Sequence, residues 1–358
     1  MRFNDIFTAK ALAYRIAEDP SNKIPYMGEA FFPTRKKMGV DLKWIKARNG
    51  LGVTLKPSTY DALATIRPRE GFTIVSQEMP LFRESMKVSE QDMMEIQRAQ
   101  DSNDPFINDV IDHVFDDVNN LVTGARIAAE RMRMSLIAPT SGDLKISIGL
   151  QDNTLYAYNY DDTNATWKTN NYEALSGTST WEATNKTTSA PLNDIQDGVE
   201  QLAANGFVAR YILMNTATLN QLLTSDQIKN ALITITGQKV EYLDKASAKE
   251  VIERKTGLQV LIYDKKYKDY DGTQKKFYPD DYVSIIADGT LGNTWMGVTP
   301  EERTLLGDSK VDVSVLDSGI AVAIQNIYGP PVRHETTVSQ IALPSFEGMD
   351  GLYVIKVK

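Results

Sequence analysis

The sequence predicts an α+β fold, and three features of the chain predict it. A helical apolar period runs unbroken over residues 105–138. The segments before it are strand-like and cut by prolines and turn residues. From Pro191 short helices and strands alternate, and after Asp308 the pattern is β alone. With 358 residues, 42% hydrophobic and 24% charged, the chain can bury the core of two or three folding units.

Residues 1–40 read as an arm. A helical stretch from Phe3 to Ile16 gives way to Pro20, Pro25 and Pro33, a density that prevents a long helix or a central strand. Phe31 and Phe32 are its isolated apolar anchors, so the arm is expected to lie on something else. Residues 41–88 read as extended hairpins. Leu42, Trp44 and Lys46 alternate with Lys43, Ile45 and Ala47, and Asn49-Gly50 supplies a two-residue turn into a return strand, Leu51–Leu55. A further extended run, Ala62–Val75, carries Arg67, Arg69 and Phe72, and Met79-Pro80-Leu81 marks a boundary.

The helix is the strongest local signal. Asp104 is a suitable N-cap and Pro105 suits the first helical position, where its missing N–H costs nothing. Ile107, Val110, Ile111, Val114, Val118, Leu121, Val122, Ala125, Ala129, Met132 and Leu136 follow at helical spacing until Pro139. Asp109, Asp112, Asp116 and Asp117 fall in the first half and Arg126, Arg131 and Arg133 in the second, as the helix dipole favours. At 1.5 Å per residue the rod is about 50 Å long, which implies a structural spine.

Lys145–Leu150 and Leu155–Tyr160 then read as a hairpin across Asp152-Asn153. The α/β stretch follows as helix Leu192–Ala204, strand Val208–Met214, helices Thr216–Leu223 and Ser247–Lys255, and strands Leu258–Tyr263, Tyr282–Ala287 and Thr294–Gly297. The closing strands are Val311–Leu316, Ile320–Ile327, Val332–Leu343 and Leu352–Val357. No internal repeat is visible.

Several chemistries are excluded or disfavoured. There is no cysteine, hence no disulfide or thiolate metal site, and His113 and His334 are the only histidines. His113 between Asp109 and Asp117 reads as a solvated acidic helix face, and no metal or cofactor is expected. Gly50-Leu51-Gly52 lacks the third glycine of a dinucleotide loop, and Asp269-Tyr270-Asp271-Gly272 reads as a plain turn because Asp280 stands where a calcium loop needs glutamate. No apolar run reaches the roughly 20 residues of a membrane span, and Met1–Pro20 lacks the apolar core of a signal peptide, so a soluble chain is expected. Tyr156, Tyr158 and Tyr160, with Trp167, Tyr172 and Trp181 nearby, leave a carbohydrate-binding reading open, though such ladders more often pack against a neighbouring strand or subunit. The net charge of −8 disfavours general binding to phosphates, yet Arg35, Lys36, Lys37, Lys43, Lys46 and Arg48 form a basic block.

The order of arm, hairpin, spine helix, polar β segment, α/β unit and β return resembles the Hong Kong 97 phage capsid fold. The residues are similar to the lambda-type major capsid protein E family at Phe31-Phe32-Pro33, Ile66-Arg67-Pro68-Arg69-Glu70-Gly71 and Met79-Pro80-Leu81. Further likeness lies at Trp181 followed by Pro191-Leu192-Asn193-Asp194-Ile195, and at Ala342-Leu343-Pro344. The resemblance implies an N-arm at 1–40, an E-loop at 41–88, a peripheral domain at 89–190 around the spine helix, an axial domain at 191–308 and a β return at 309–358. It implies a virion protein, assembled in the host cytoplasm, whose hexamers and pentamers enclose double-stranded DNA without reading its sequence. No catalytic residue carries over, so no enzyme is expected. Scaffolding, portal and decoration proteins are possible partners. Because Met1 opens the chain without a long charged leader, any scaffold or protease is expected to be a separate protein. An encapsulin-like nanocompartment shares the fold and is the rival reading.

In such a shell the basic block, with Trp44, Arg67 and Arg69, is a candidate contact for the acidic helix half of a neighbouring copy, at Asp109, Asp112 and Asp116. The competing reading is a solvated face or one that brushes DNA phosphates.

Overall fold

The apolar period after residue 105 forms one helix of 32 residues, about 48 Å long. The computed structural model describes residues 26–46, 73–88, 90–91, 93–94, 98, 106–149, 155–161, 164–236, 243–305, 311–317, 319–327, 329 and 333–358. The expected arm helix, the Asn49-Gly50 turn, strand Leu51–Leu55, Arg48, Arg67, Arg69 and the cap Asp104-Pro105 lie outside these residues. In chain order come α1 (Met27–Phe31), β1 (Thr34–Lys36), β2 (Asp41–Lys46), β3 (Thr73–Glu78), β4 (Leu81–Val88) and the long helix α2 (Phe106–Ile137). Then follow β5 (Lys145–Gly149), β6 (Leu155–Asn159), α3 (Thr166–Asn171), β7 (Tyr172–Ala174), α4 (Pro191–Ala204) and β8 (Ala209–Met214). Next are α5 (Thr216–Leu222), α6 (Asp226–Thr236), α7 (Lys245–Thr256), β9 (Gln259–Ile262), β10 (Lys266–Lys268) and β11 (Gln274–Lys276). The chain closes with β12 (Tyr282–Ala287), β13 (Asn293–Gly297), a π-helical turn (Glu301–Leu305), β14 (Val311–Leu316), β15 (Ile320–Ile327), β16 (Arg333–Ser345) and β17 (Leu352–Lys356).

Two units divide the chain, one from Met1–Leu42, Ser76–Arg133 and Asn293–Ser345, the other from Lys43–Val75, Met134–Gly292 and Phe346–Lys358. The cuts near 133 and 292 differ from the 190 and 308 read from composition. They fall there because β7 joins the sheet of the second unit through β17, with Val354 opposite Tyr172, and β13 joins that of the first through β16.

The first unit is organised by β16. It pairs with β13 (Ile341 opposite Gly297), with β15 (Gln340 opposite Ile320) and with β4 (Ile341 opposite Leu81). β14 and β1 extend the sheet at its ends. Alternation sends Ile320, Val322 and Ile324 of β15, with Val338 of β16, onto Val118, Val122 and Ala125 of α2. Each such Val or Ile taken from water contributes about 1.5–3 kcal/mol. The arginines of the second half of α2 serve more than the dipole. Arg126 Nε sits 2.6 Å from Asp317 Oδ2, and Arg133 turns into a buried network described below.

Part of the arm reading is corrected here. Phe31 and Phe32 are buried, and β1 runs parallel to β13, so residues 27–36 are completed by their own chain. Among the described residues the strand β2 pairs with β3, while its expected return strand lies outside them. β4 is a full member of the six-stranded sheet rather than loop.

The second unit is built on a five-stranded sheet in the order β7-β17-β12-β8-β9. β12 is central and buried throughout, as its unbroken apolar run requires. β8 and β9 are parallel, which needs a crossover, and α5, α6 and α7 supply it. Asn215 caps α5 by accepting from the Thr218 N–H at 2.8 Å, and Asp244 caps α7 through the Ser247 N–H at 2.9 Å. Gly257, at φ +75°, closes α7 in the left-handed conformation. Helix α6 is absent from the sequence reading. Its Ile228, Ala231 and Leu232 pack on the core, but the Ile233–Thr236 end alternates as a strand would.

The carbonyls at the end of α2 are met by side chains of β12 and the loop after the helix. Ser284 Oγ donates to Ile137 O at 2.7 Å, and Tyr282 OH donates to Thr140 O at 2.5 Å. Tyr278 OH reaches Leu213 O at 3.0 Å and Ser284 Oγ at 2.8 Å. Burial pushes the Tyr278 and Tyr282 phenols up, so both remain neutral donors.

Where α4 packs on the sheet, Trp181 Nε1 donates to Asp194 Oδ2 at 2.7 Å, and Tyr353 OH donates to Glu173 Oε2 at 3.0 Å. Burial, with the like charges of Glu173 and Asp197, raises the Asp194 carboxyl to about 6, against the Trp181 hydrogen bond that lowers it. A carboxyl with a raised folded-state pKa contributes stability that is complete below its unfolded value near 3.8 and lost as pH rises through about 6. The melting temperature should therefore gain more between pH 7.5 and pH 5 in the native chain than in Asp194→Asn, as read by calorimetry; equal gains would refute the assignment.

Candidate assembly surface

The N-terminal segment of the first unit is fastened by a buried ion pair. Glu130 and Arg133, one turn apart on α2, are 0% and 4% exposed, with Arg133 Nη1 3.5 Å from Glu130 Oε2. Glu130 Oε1 accepts the Gly28 N–H at 2.9 Å. Arg133 Nε donates to Thr294 Oγ1 at 2.8 Å, and Nη2 donates to Thr34 Oγ1 at 3.0 Å. Thr294 Oγ1 in turn donates to Phe32 O at 2.9 Å, and the Thr294 N–H donates to Pro33 O at 2.9 Å. Gly28 is required by the approach: a Cβ there would lie 2.6 Å from Glu130 Oε2 and 2.8 Å from Arg133 Cβ. A buried charge is tolerated only when its hydrogen-bonding groups find partners, and here the partners come from α1, β1 and β13.

Beyond β1 the chain turns at Gly39, φ +90°, and leaves Met38 84% exposed. The basic block divides at this turn. Lys36 pairs with Glu302 of the π-helical turn, and Lys37 Nζ donates to Asp41 O at 2.8 Å. Next to the first pair, Arg83 Nη2 lies 2.6 Å from Glu301 Oε1, and Ser339 Oγ donates to Glu301 Oε2 at 2.7 Å. Arg35 and Lys43 are exposed and have no carboxylate partner among the described residues. Lys46 lies on β2, while Asp109, Asp112 and Asp116 share α2; the side chains of these four fall outside the described residues, as does that of His113.

Trp44 belongs to the second unit and is buried there, stacked on Tyr160 at 5.5 Å, with Phe346 edge-on to Tyr160 at 6.4 Å. Its ring is a packing anchor, with little surface left for a neighbour. The same holds for four rings of the aromatic ladder, while Tyr156 is 37% exposed and Tyr172 is half-buried. Tyr158, Tyr160, Trp167 and Trp181 are buried, and Trp167 Nε1 donates to Met349 O at 2.8 Å. A sugar platform must face solvent, and these rings do not. The Asp269–Gly272 segment is a hairpin turn, with the Gly272 N–H on Asp269 O at 2.9 Å. Among the described residues no group of His, Asp and Glu is placed to hold a metal ion. His334 is buried in β16, and burial lowers its pKa, so it stays neutral. No described helix is long and apolar enough to cross a membrane.

A family model described as phage major capsid protein E matches residues 8–312. The chain belongs to that family. Its fold is shared with a phage-related protein from Bordetella bronchiseptica RB50, at 13% identity and a TM-score of 0.57, over 98% of this chain and 96% of that one. A protein assigned as a prophage capsid protein from E. coli CFT073 matches at 14% identity and a TM-score of 0.57, over 100% of this chain and 99% of that one. At such identities the likeness establishes the fold alone, the mixed α and β architecture of Hong Kong 97-like phage capsids. None of the curated proteins matches the sequence. This phage major capsid protein is a structural protein of the virion, and its copies form the oligomeric lattice of an icosahedral head.

The exposed Arg35 and Met38 thus follow a segment fixed by a buried charge pair. Glu130→Ala strands Arg133 in the interior and should cost about 3–5 kcal/mol in urea unfolding. A loss below 1 kcal/mol (about the worth of one ordinary hydrogen bond) would show that the pair does not hold the segment.

Proposed function

We propose that this capsid protein closes into hexamers and pentamers around double-stranded DNA, assembled in the host cytoplasm, with scaffolding, portal and decoration proteins as further partners. The observation that carries the reading is the family match across residues 8–312. The charge of the chain supports enclosure over tight binding: at −8 the subunit repels phosphates on average, so it contains DNA without reading sequence. In the same proposal residues 1–40 and 41–88 act as arm and E-loop, 89–190 with 309–358 as the peripheral domain, and 191–308 as the axial domain.

Within the lattice we assign the basic block of residues 35–48 to the acidic half of α2 in a neighbouring copy, at Asp109, Asp112 and Asp116. Two stretches of opposite sign, each repelling its own kind, complement one another between copies. Arg35 and Lys43 support this because neither has a carboxylate partner among the described residues, whereas Lys36 pairs with Glu302 and Lys37 donates to the Asp41 carbonyl. Arg67 and Arg69 extend the same basic strip in sequence.

Electron microscopy of particles from infected cells tests the enclosure: shells filled with double-stranded DNA are expected, and shells carrying protein cargo without DNA would favour a nanocompartment. Arg35→Glu with Lys43→Glu tests the pairing. The double variant should fold with an unchanged melting temperature yet fail to form shells in sedimentation at concentrations where the native chain assembles, and normal shells would refute the assignment.

A further inference from the structure

The hairpin of β10 and β11 is built to hold a single aromatic ring in solvent. Its register sets Lys266 opposite Lys276, Tyr267 opposite Lys275 and Lys268 opposite Gln274. The turn between them is locked from several sides. The Asp269 N–H donates to Thr273 O at 2.9 Å, and the Gly272 N–H donates to Asp269 O at 2.9 Å, with Gly272 at φ +79°. Asp271 Oδ1 accepts from the Thr273 N–H at 2.9 Å and from Thr273 Oγ1 at 2.6 Å, and Lys275 Nζ lies 2.5 Å from Asp269 Oδ2. At the base, Phe277 packs on Tyr267 at 4.8 Å and on Tyr263 at 6.0 Å. At the tip stands Tyr270, 94% exposed.

A tyrosine ring left in water forgoes the burial that makes aromatic residues worth placing at a contact. A turn whose only task is to reverse the chain has no use for it. Fixing the ring on a rigid support removes in advance the ordering cost of a contact, which is the design of an interface anchor. The flanks carry charge as well. Lys266 and Lys268 are exposed without an ion pair among the described residues, whereas Lys276, opposite Lys266, is paired with Asp280 at 2.6 Å. Nucleic acid fits poorly, because the exposed Asp271 adjoins the ring and would repel phosphate. A second copy of this chain fits: it carries a charge of −8, and a lattice of heterologous contacts needs a projection on each copy that enters the next.

We propose that the β10–β11 hairpin is an inter-subunit contact in which Tyr270 of one copy anchors against an acidic face of a second copy. The proposal rests on the capsid reading and names one of its contacts. Tyr270→Ala tests it in the full-length chain, with Tyr270→Phe beside it. The protein concentration needed for half-assembly, read by sedimentation and checked by electron microscopy, should rise at least about tenfold for the alanine variant and stay near native for phenylalanine. The melting temperature of unassembled subunits should be the same in all three, since the ring is 94% exposed. Assembly of Tyr270→Ala at the native concentration overturns this contact and leaves the capsid reading standing. A native chain that forms no shell under any condition overturns both.

Discussion

Two opposite charges with no water around them set the constraint on which the first unit depends. Glu130 and Arg133 lie on the face of α2 turned inward, and neither survives there unless its polar atoms are met. The groups that meet them are the Gly28 amide and the Thr34 and Thr294 hydroxyls, from three separate stretches of chain. The pair therefore specifies geometry more than it supplies stability. An apolar pair of the same volume would bury at less cost, yet would not fix where α1 and β1 must lie.

That placement decides which basic residues remain for contacts outside the subunit. β1 is pinned beside β13, so Lys36 falls next to Glu302, and Lys37 reaches back to the Asp41 carbonyl. Arg35 on β1 and Lys43 on β2 stay exposed. A basic block that is uniform in sequence is thus divided by the fold into cations that close the subunit and cations that face outward. The division suits the proposed contact: the subunit is complete where β1 is pinned, and the charge left over lies where a neighbouring copy is proposed to dock.

The sequence made α2 legible because its apolar period survives over more than thirty residues, and β12, β14 and β15 because their runs are unbroken or alternate cleanly. Helix α6 was not legible, since its β-branched end imitates a strand. β7, β10 and β11 are three residues each, too short for a period to register. The Phe31-Phe32 pair was visible as an anchor, but not what it anchors to, because β1 and β13 are some 260 residues apart. The buried pair was hidden for a related reason. Arg133 matches the helix dipole, and that local explanation conceals a tertiary one. Tyr270 could have been noticed as an aromatic inside a turn of Asp and Gly, an unusual company for a ring.

Hydrogen–deuterium exchange of the unassembled subunit tests most directly whether the N-terminal segment is completed by its own chain. The Gly28, Phe32 and Lys37 amides, bonded to Glu130 Oε1, Gly28 O and Met296 O, should be protected before any shell forms. Rapid exchange at these amides until assembly would contradict the account, and would mean that a neighbouring copy holds the segment in place.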